Sequence, residues 1–293
     1  MKRFLIYTTK IIIIIILIAV VFDGIYTAIY MRSQDRGKIE TVFNSKAEKY
    51  DVIILGSSRA NNHFIPQMFE DKGLKTFNYG MSASHLFEAS LMLKLMVERK
   101  WKIKNVIVEA DLNLAIDHRS KPISSKFLPY IHNSAVIIDH FKDEESFNEM
   151  YYLPFYRYIK DDSKIGFREV FFTLVHKKTS ALQNLGFYPL QKHKNANMKN
   201  DIVNLNPLPH NKSYEEIKAI CKSNNINLIA VMTPMCENVK GLDYFDKVKK
   251  LYPEIHNYEN AVTEDKYFSS CGHMNDVGAK MFTAKILKDF FNK

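Results

Sequence analysis

The apolar positions of this chain fall into two regimes. The first is continuous: after M-K-R-F-L-I-Y-T-T-K the sequence runs I-I-I-I-I-I-L-I-A-V-V-F and then D-G-I-Y-T-A-I-Y-M. From about Ile11 to Met31 this approaches the ~20 residues that a helix needs to cross a bilayer, and it predicts a transmembrane helix. Asp23 interrupts the run, at a cost of about 3 kcal/mol at mid-bilayer and less towards an end, which the isoleucines outweigh. The second regime is broken into short runs. D-V-I-I-L (Asp51 to Leu55), K-T-F-N-Y (Lys75 to Tyr79), N-V-I-V-E-A (Asn105 to Ala110) and I-N-L-I-A-V-M (Ile226 to Met232) read as strands buried on both faces.

Helical spacing lies between these runs. Ser84 to Arg99 sets Leu86, Leu91 and Leu95 at helical intervals behind a serine cap, Ser213 to Ser223 starts S-Y-E-E, and a last helix runs to about Phe291. Strands alternating with helices predict an α/β fold: a flavodoxin-like three-layer sandwich around a central parallel sheet with right-handed crossovers. The alternation breaks over about 115–210, rich in Tyr, Phe and Lys, which reads as a helical insertion over the carboxyl edge of the sheet. The expected organisation is therefore an anchor over 1–32, a polar stalk over 33–50, and an α/β domain over 51–293.

Composition narrows the picture. With 293 residues, 46% hydrophobic and 25% charged, the chain can bury a substantial core. Its 41 Lys+Arg against 32 Asp+Glu give a net charge of +9, suited to nucleic acid, an anionic membrane or an acidic glycan. The lysines are scattered and no zinc-finger or RNA-binding signature accompanies them, so nucleic acid is not the expected partner. Lys2, Arg3 and Lys10 precede the apolar run while charges of both signs follow it, which predicts a cytoplasmic N-terminus and an exported remainder. A cleaved signal peptide is the competing reading, without a convincing small-x-small site to support it.

Candidate chemistry gathers at the ends of the predicted strands, where open parallel sheets bind ligands. The first ends in Gly56-Ser57-Ser58, the second in Asn78-Tyr79-Gly80-Met81-Ser82, the third in Asp111-Leu112-Asn113; C-G-H-M-N-D carries His273 ahead of the last helix. A serine at such a turn is a nucleophile, a phosphate ligand or a turn former, and Asn113 can simply end a strand. No dinucleotide or nucleotide loop is present, and Ser58-Arg59-Ala60 breaks the G-x-S-x-G elbow. Serine, glycine amide, asparagine amide and histidine together supply a nucleophile, oxyanion donors and a base for acyl transfer. Asp117-His118 and Asp139-His140 lack short-spaced partners and read as surface groups; no metal or cofactor is expected.

With these four blocks in order, the sequence resembles the SGNH (GDSL-type) hydrolase superfamily, in its membrane-anchored cell-envelope acyltransferase and esterase branch. G-S-S-R stands for the first block, N-Y-G-M-S for the second, D-L-N for the third and H-M-N-D-V-G-A for the last. The resemblance implies Ser58 as nucleophile, His273 as base, and an oxyanion hole from Ser58, Gly80 and Asn113. It also implies an acylated envelope glycan as substrate and, for a transferase, a multipass membrane acyl-transfer partner. One departure stands out: the family's aspartate three residues before the histidine is Ser270 here. Either a Ser58–His273 dyad works slowly, or another group such as Asp265 or a backbone carbonyl orients His273, or the domain is an inactive glycan-binding or scaffold subunit. Cys236 follows the fourth strand at the sheet edge where Cys271 precedes His273, so these two are expected to form a disulfide, leaving Cys221 as a buried, inert thiol.

Overall fold

In the computed structural model, which describes residues 1–191 and 198–292, the chain divides into two compact units. One comprises Met1–Ser45 with Ser124–Lys178, the other Lys46–Ile123 with Thr179–Lys293.

The second unit is built on a five-stranded parallel sheet. Its strands are β1 (Lys49–Leu55), β2 (Thr76–Asn78), β3 (Lys102–Glu109), β4 (Asn227–Met232) and β5 (His256–Asn257), in the order β2-β1-β3-β4-β5. Val52 to Leu55 and Val106 to Val108 are almost wholly shielded from solvent. Branched side chains on both faces of a strand require cover on both faces, and each that is fully buried contributes about 1.5–3 kcal/mol relative to exposure. The helices that provide this cover include α2 (Ser58–His63), α3 (Leu86–Glu98), α4 (Lys212–Ser223) and α5 (Asp276–Phe290); α3 packs on α4, and α2 on α5. Ile54 pairs with both Asn78 and Ile107, so the carboxyl ends of the three adjacent strands β2, β1 and β3 lie level.

Three local expectations are corrected. Helix α3 begins after His85 rather than Ser84, because the Glu88 carboxylate accepts the His85 backbone N–H at 2.9 Å while the Ser84 hydroxyl donates to the His85 carbonyl. Helix α4 begins one residue early, since Asn211 Oδ1 accepts the Tyr214 N–H at 3.0 Å and takes the capping role. Strand β5 was not foreseen. Its two exposed residues carry no apolar pattern, and it is defined by the pairing of His256 with Val231 and of Asn257 with Met232.

The first unit is helical. Helix α1 (Lys2–Tyr30) is long and apolar enough to cross a membrane. The region expected as a stalk contains the helix Lys38–Asn44, whose Ile39, Val42 and Phe43 are buried at one-face spacing. Short helices follow at Ala135–Phe141, Phe147–Tyr152, Tyr156–Lys160, Asp162–Ile165 and Phe167–Leu174. His140, expected at the surface, is buried: it shares the inward face of its helix with Ile137 and Phe141. Part of the expected insertion, residues 192–197, lies outside the described residues, and Asn200–Asp201 beyond it forms a short parallel pairing with Val239–Lys240.

Candidate active site

The turn after β1 separates its two serines by role. Gly56 has φ +140°, and a Cβ there would lie 2.8 Å from the Glu109 carboxylate and 2.9 Å from the Ala60 methyl, so only glycine fits. Ser57 faces inward: its N–H and its hydroxyl both donate to Glu109 Oε2, at 2.8 and 2.6 Å, and its oxygen accepts the Arg59 N–H at the start of α2. Ser58 turns the other way. Its Oγ lies 2.8 Å from His273 Nε2, and both residues are half-buried, open to an incoming molecule.

The histidine is delivered by a hairpin, β6 (Phe268–Ser270) paired antiparallel with β7 (His273–Met274). Gly272 makes the turn at φ +89°, and a disulfide from Cys271 to Cys236 ties the turn to the loop after β4, with Cα atoms 5.0 Å apart. His63, at the end of α2, accepts the Met274 N–H on Nε2 at 3.0 Å. The short helix that starts at Ser58 therefore also grips the strand that carries His273. Cross-strand pairing sets Ser270 opposite His273, with Ser270 Oγ 3.4 Å from Nδ1, a long contact between uncharged groups. Asp265 does not orient the imidazole: its carboxylate accepts from the Glu237 N–H and the Asn238 side chain instead.

Beneath the serine lies a set of buried charges. Arg59 donates to the Thr233 hydroxyl and carbonyl, to the Pro234 carbonyl and to Met235 Sδ, and stands 3.4 Å from Asp111 Oδ2. Asp111 in turn accepts from the Thr233 N–H and hydroxyl and from the Leu112 N–H. Burial pushes Glu109 well above the carboxylate range and the neighbouring Asp111 pushes it further. Burial also presses Asp111 upward, but Arg59 and its hydrogen bonds outweigh this and hold it below its ordinary value. Of the two carboxyls, Glu109 is thus the one pushed towards keeping a proton, while Arg59 favours the charge on Asp111. His273 is held below its ordinary value by burial and then by the Arg59 cation, with Asp111 partly opposing, so the imidazole is neutral at neutral pH.

The two other expected oxyanion donors occupy the same sheet edge in different states. The Gly80 backbone presses onto α2, where a Cβ would meet Asn61 N at 2.6 Å and the Ala60 methyl at 2.7 Å. Its N–H donates to Asn78 Oδ1 at 2.9 Å, so any second acceptor has to share or displace that bond. Asn113 sits buried in the turn after β3, its carbonyl facing the Asn211 side chain. Cys221 is a free, buried thiol whose pKa burial pushes up to about 12. No group of potential metal ligands occurs among the described residues.

Sequence reasoning passed over Arg59, Glu109 and His63, and noted Asp111 only as part of the group ending the third strand. Glu109 left a visible signal, a carboxylate at the end of the apolar run Val106–Val108.

Fold and site define a class: an α/β chain with a parallel sheet in the 2-1-3-4-5 order, carrying a serine–histidine pair outside the carboxyl edge. No protein-family model matches the chain, and no curated protein matches it. Among solved structures it is similar to one from Streptococcus pneumonia described as "a putative platelet activating factor", at 10% identity and a TM-score of 0.40, over 98% of this chain and 99% of that one. Likeness at that level carries neither fold nor function across.

Proposed function

We propose that this chain is a membrane-anchored, exported ester-bond enzyme of SGNH type, using Ser58 as nucleophile and His273 as base on acylated cell-envelope carbohydrate. The 2.8 Å approach of Ser58 Oγ to His273 Nε2 carries the reading. Neutral His273 accepts the Ser58 proton on Nε2 while Oγ forms a bond to the acyl carbon. The carbonyl electron pair moves onto oxygen, where the Ser58 amide, the Asn113 side chain and a shared Gly80 amide act as donors. Collapse breaks the ester bond, and His273 returns the proton to the departing alkoxide. A water or a sugar hydroxyl then repeats the sequence on the acyl-serine, giving hydrolysis or transfer; for transfer, a multipass membrane partner supplies the acyl group.

When Nε2 takes up the proton, Nδ1–H points toward Ser270 Oγ at 3.4 Å, an uncharged and distant acceptor. A carboxylate there would stabilise the imidazolium, so the expected enzyme is slow rather than absent. Turnover of p-nitrophenyl acetate by the full-length protein tests this: Ser58→Ala is expected to reduce it by about 10³-fold or more. Retained turnover in that variant would remove Ser58 from the chemistry.

The same distance favours a second reading, an inactive glycan-binding or scaffold subunit of a polysaccharide assembly complex. Labelling of Ser58 by a fluorophosphonate separates the two. The enzyme is labelled, whereas the binding subunit is not and still retains an envelope glycan.

A further inference from the structure

The anchor unit leaves apolar side chains exposed in two places, along α1 and on a short helix that packs against it. On α1, the side chains from Phe4 to Phe22 are largely uncovered, a length of about 28 Å that fills the ~30 Å hydrocarbon core of a bilayer. Beyond Phe22 one side of the helix is covered by protein, with Tyr26 and Tyr30 buried, while Gly24, Ile25 and Ala28 stay exposed. Asp23 Oδ1 pairs with Arg157 Nη2 at 2.9 Å, and Asp23 Oδ2 accepts the Phe155 N–H at 2.8 Å. Thr27 Oγ1 lies 2.8 Å from the Tyr158 hydroxyl, and the Tyr26 ring sits 4.9 Å from that of Phe155. Arg157 is 1% exposed, and Phe155 holds a left-handed φ of 65°, an arrangement that persists because Asp23 binds its amide. The level of Asp23 is thus where α1 leaves lipid and enters a protein collar.

The second exposed patch belongs to that collar. Phe167, Phe171 and Leu174 recur at intervals of four and three on the helix Phe167–Leu174, whose adjoining face buries Val170 and Thr173 and which packs on α1. Phe167 is 69% and Leu174 60% exposed, and Leu153 and Ile159 are half or more exposed nearby in the chain. Exposed Lys160, Lys164, Arg168 and Lys177 interleave with them. The sheet unit differs: Val277 and Met281 are exposed as a pair on α5, and its other exposed large apolar residues, such as Val203 and Leu242, stand singly along the chain. Apolar and basic residues interleaved along one segment are the composition of a segment lying in a membrane interface.

We propose that the face formed by Phe167, Phe171 and Leu174 seats in the headgroup and upper acyl region of the bilayer that α1 crosses. Lipid is its occupant for two reasons. The uncovered apolar surface of α1 continues into the collar through Phe22, whose ring is 5.6 Å from Phe155, and the cations beside the patch match phosphate headgroups. The collar and anchor then form one embedded body, with Asp23 and Arg157 shielded at its centre.

The test uses the full-length protein in nanodiscs of mixed phosphatidylcholine and phosphatidylglycerol. Phe171→Trp and Leu174→Trp, each in a Trp101→Phe background, are compared with Val277→Trp as the sheet-unit control. With brominated lipid, fluorescence at 171 and 174 is expected to be quenched about threefold more strongly than at 277, with blue-shifted emission. Equal, water-like emission at all three positions would overturn the proposal. So would tryptophans at 171 and 174 that stay wet in nanodiscs but become shielded in native membranes, since the occupant would then be a protein. Should Trp101→Phe unfold the chain, Leu174→Cys carrying a bimane label replaces the tryptophan readout.

Discussion

The two units of this chain treat buried charge in opposite ways. In the sheet unit, Arg59, Asp111 and Glu109 sit beside the turn that carries Ser58, and their hydrogen bonds join the turns after β1, β3 and β4. In the anchor unit the buried Arg157 meets Asp23, a carboxylate within the apolar helix, and joins α1 to the helix Tyr156–Lys160. The first arrangement shapes a site; the second holds a collar on an anchor. Buried ion pairs are poor stabilisers compared with apolar replacements, but removal of one partner strands the other. Each therefore acts as a lock whose loss is felt locally.

That contrast can be sharpened experimentally. The largest effect is expected from Arg59→Met, which leaves Asp111 buried without its cation and should lower stability by about 3–5 kcal/mol, read as a reduced urea midpoint. Arg157→Met should leave the urea transition of the sheet unit where it is and increase proteolysis within 147–178, because Asp23 is less deeply buried and loses its partner. A shift of similar size in the sheet transition would show that the two locks are not independent.

Next comes the disulfide. Cys236→Ser with Cys271→Ser opens a link across a separation of 35 residues and should cost about 2–4 kcal/mol, with a larger fall in turnover than in stability because the bridge braces the His273 turn. Activity unchanged under full reduction would show that the hairpin and His63 suffice to hold the imidazole.

A smaller effect concerns pH. His273 is held below 6.5 by burial and Arg59, so the neutral, proton-accepting form persists into mild acid. The acid limb of kcat/KM should therefore have its midpoint below pH 6.5; a midpoint above it would contradict a neutral buried base. The same shift, shared by buried His63, makes the unfolded chain bind more protons than the folded one in acid. Stability should accordingly fall as pH drops below about 6.5, and recover as pH rises.

The smallest expected change is a gain. Ser270→Asp places a carboxylate opposite His273 Nδ1 and should raise turnover by about tenfold if the imidazolium lacks a partner. No gain would mean that the hairpin geometry, rather than the missing charge, limits the rate.

The parts that could be read from sequence are those set by local pattern. Four of the five sheet strands show as branched apolar runs, since a strand covered on both faces has no polar side to display. Ser58, His273, Cys236 and Cys271 are visible because each sits at a strand end or beside a turn, where open sheets gather their chemistry. Strand β5, the Asn211 cap and the burial of His140 were not visible, because each depends on which partner the chain happens to meet there. Asp265 was a reasonable candidate to orient His273, yet the loop after β4 claims its carboxylate.

By itself, then, the sequence determined an apolar helix able to cross a membrane, an alternating α/β core, and which polar residues stand at the sheet's edge. Tertiary structure alone decided the fate of the charges: which serine faces the imidazole, that Arg59 neutralises Asp111, and that Asp23 meets Arg157 across 134 residues of chain. Hydrophobic burial is additive and leaves its period in the sequence, whereas the solvation of a charge depends on the partners brought to within a few ångströms, and these are set by the fold.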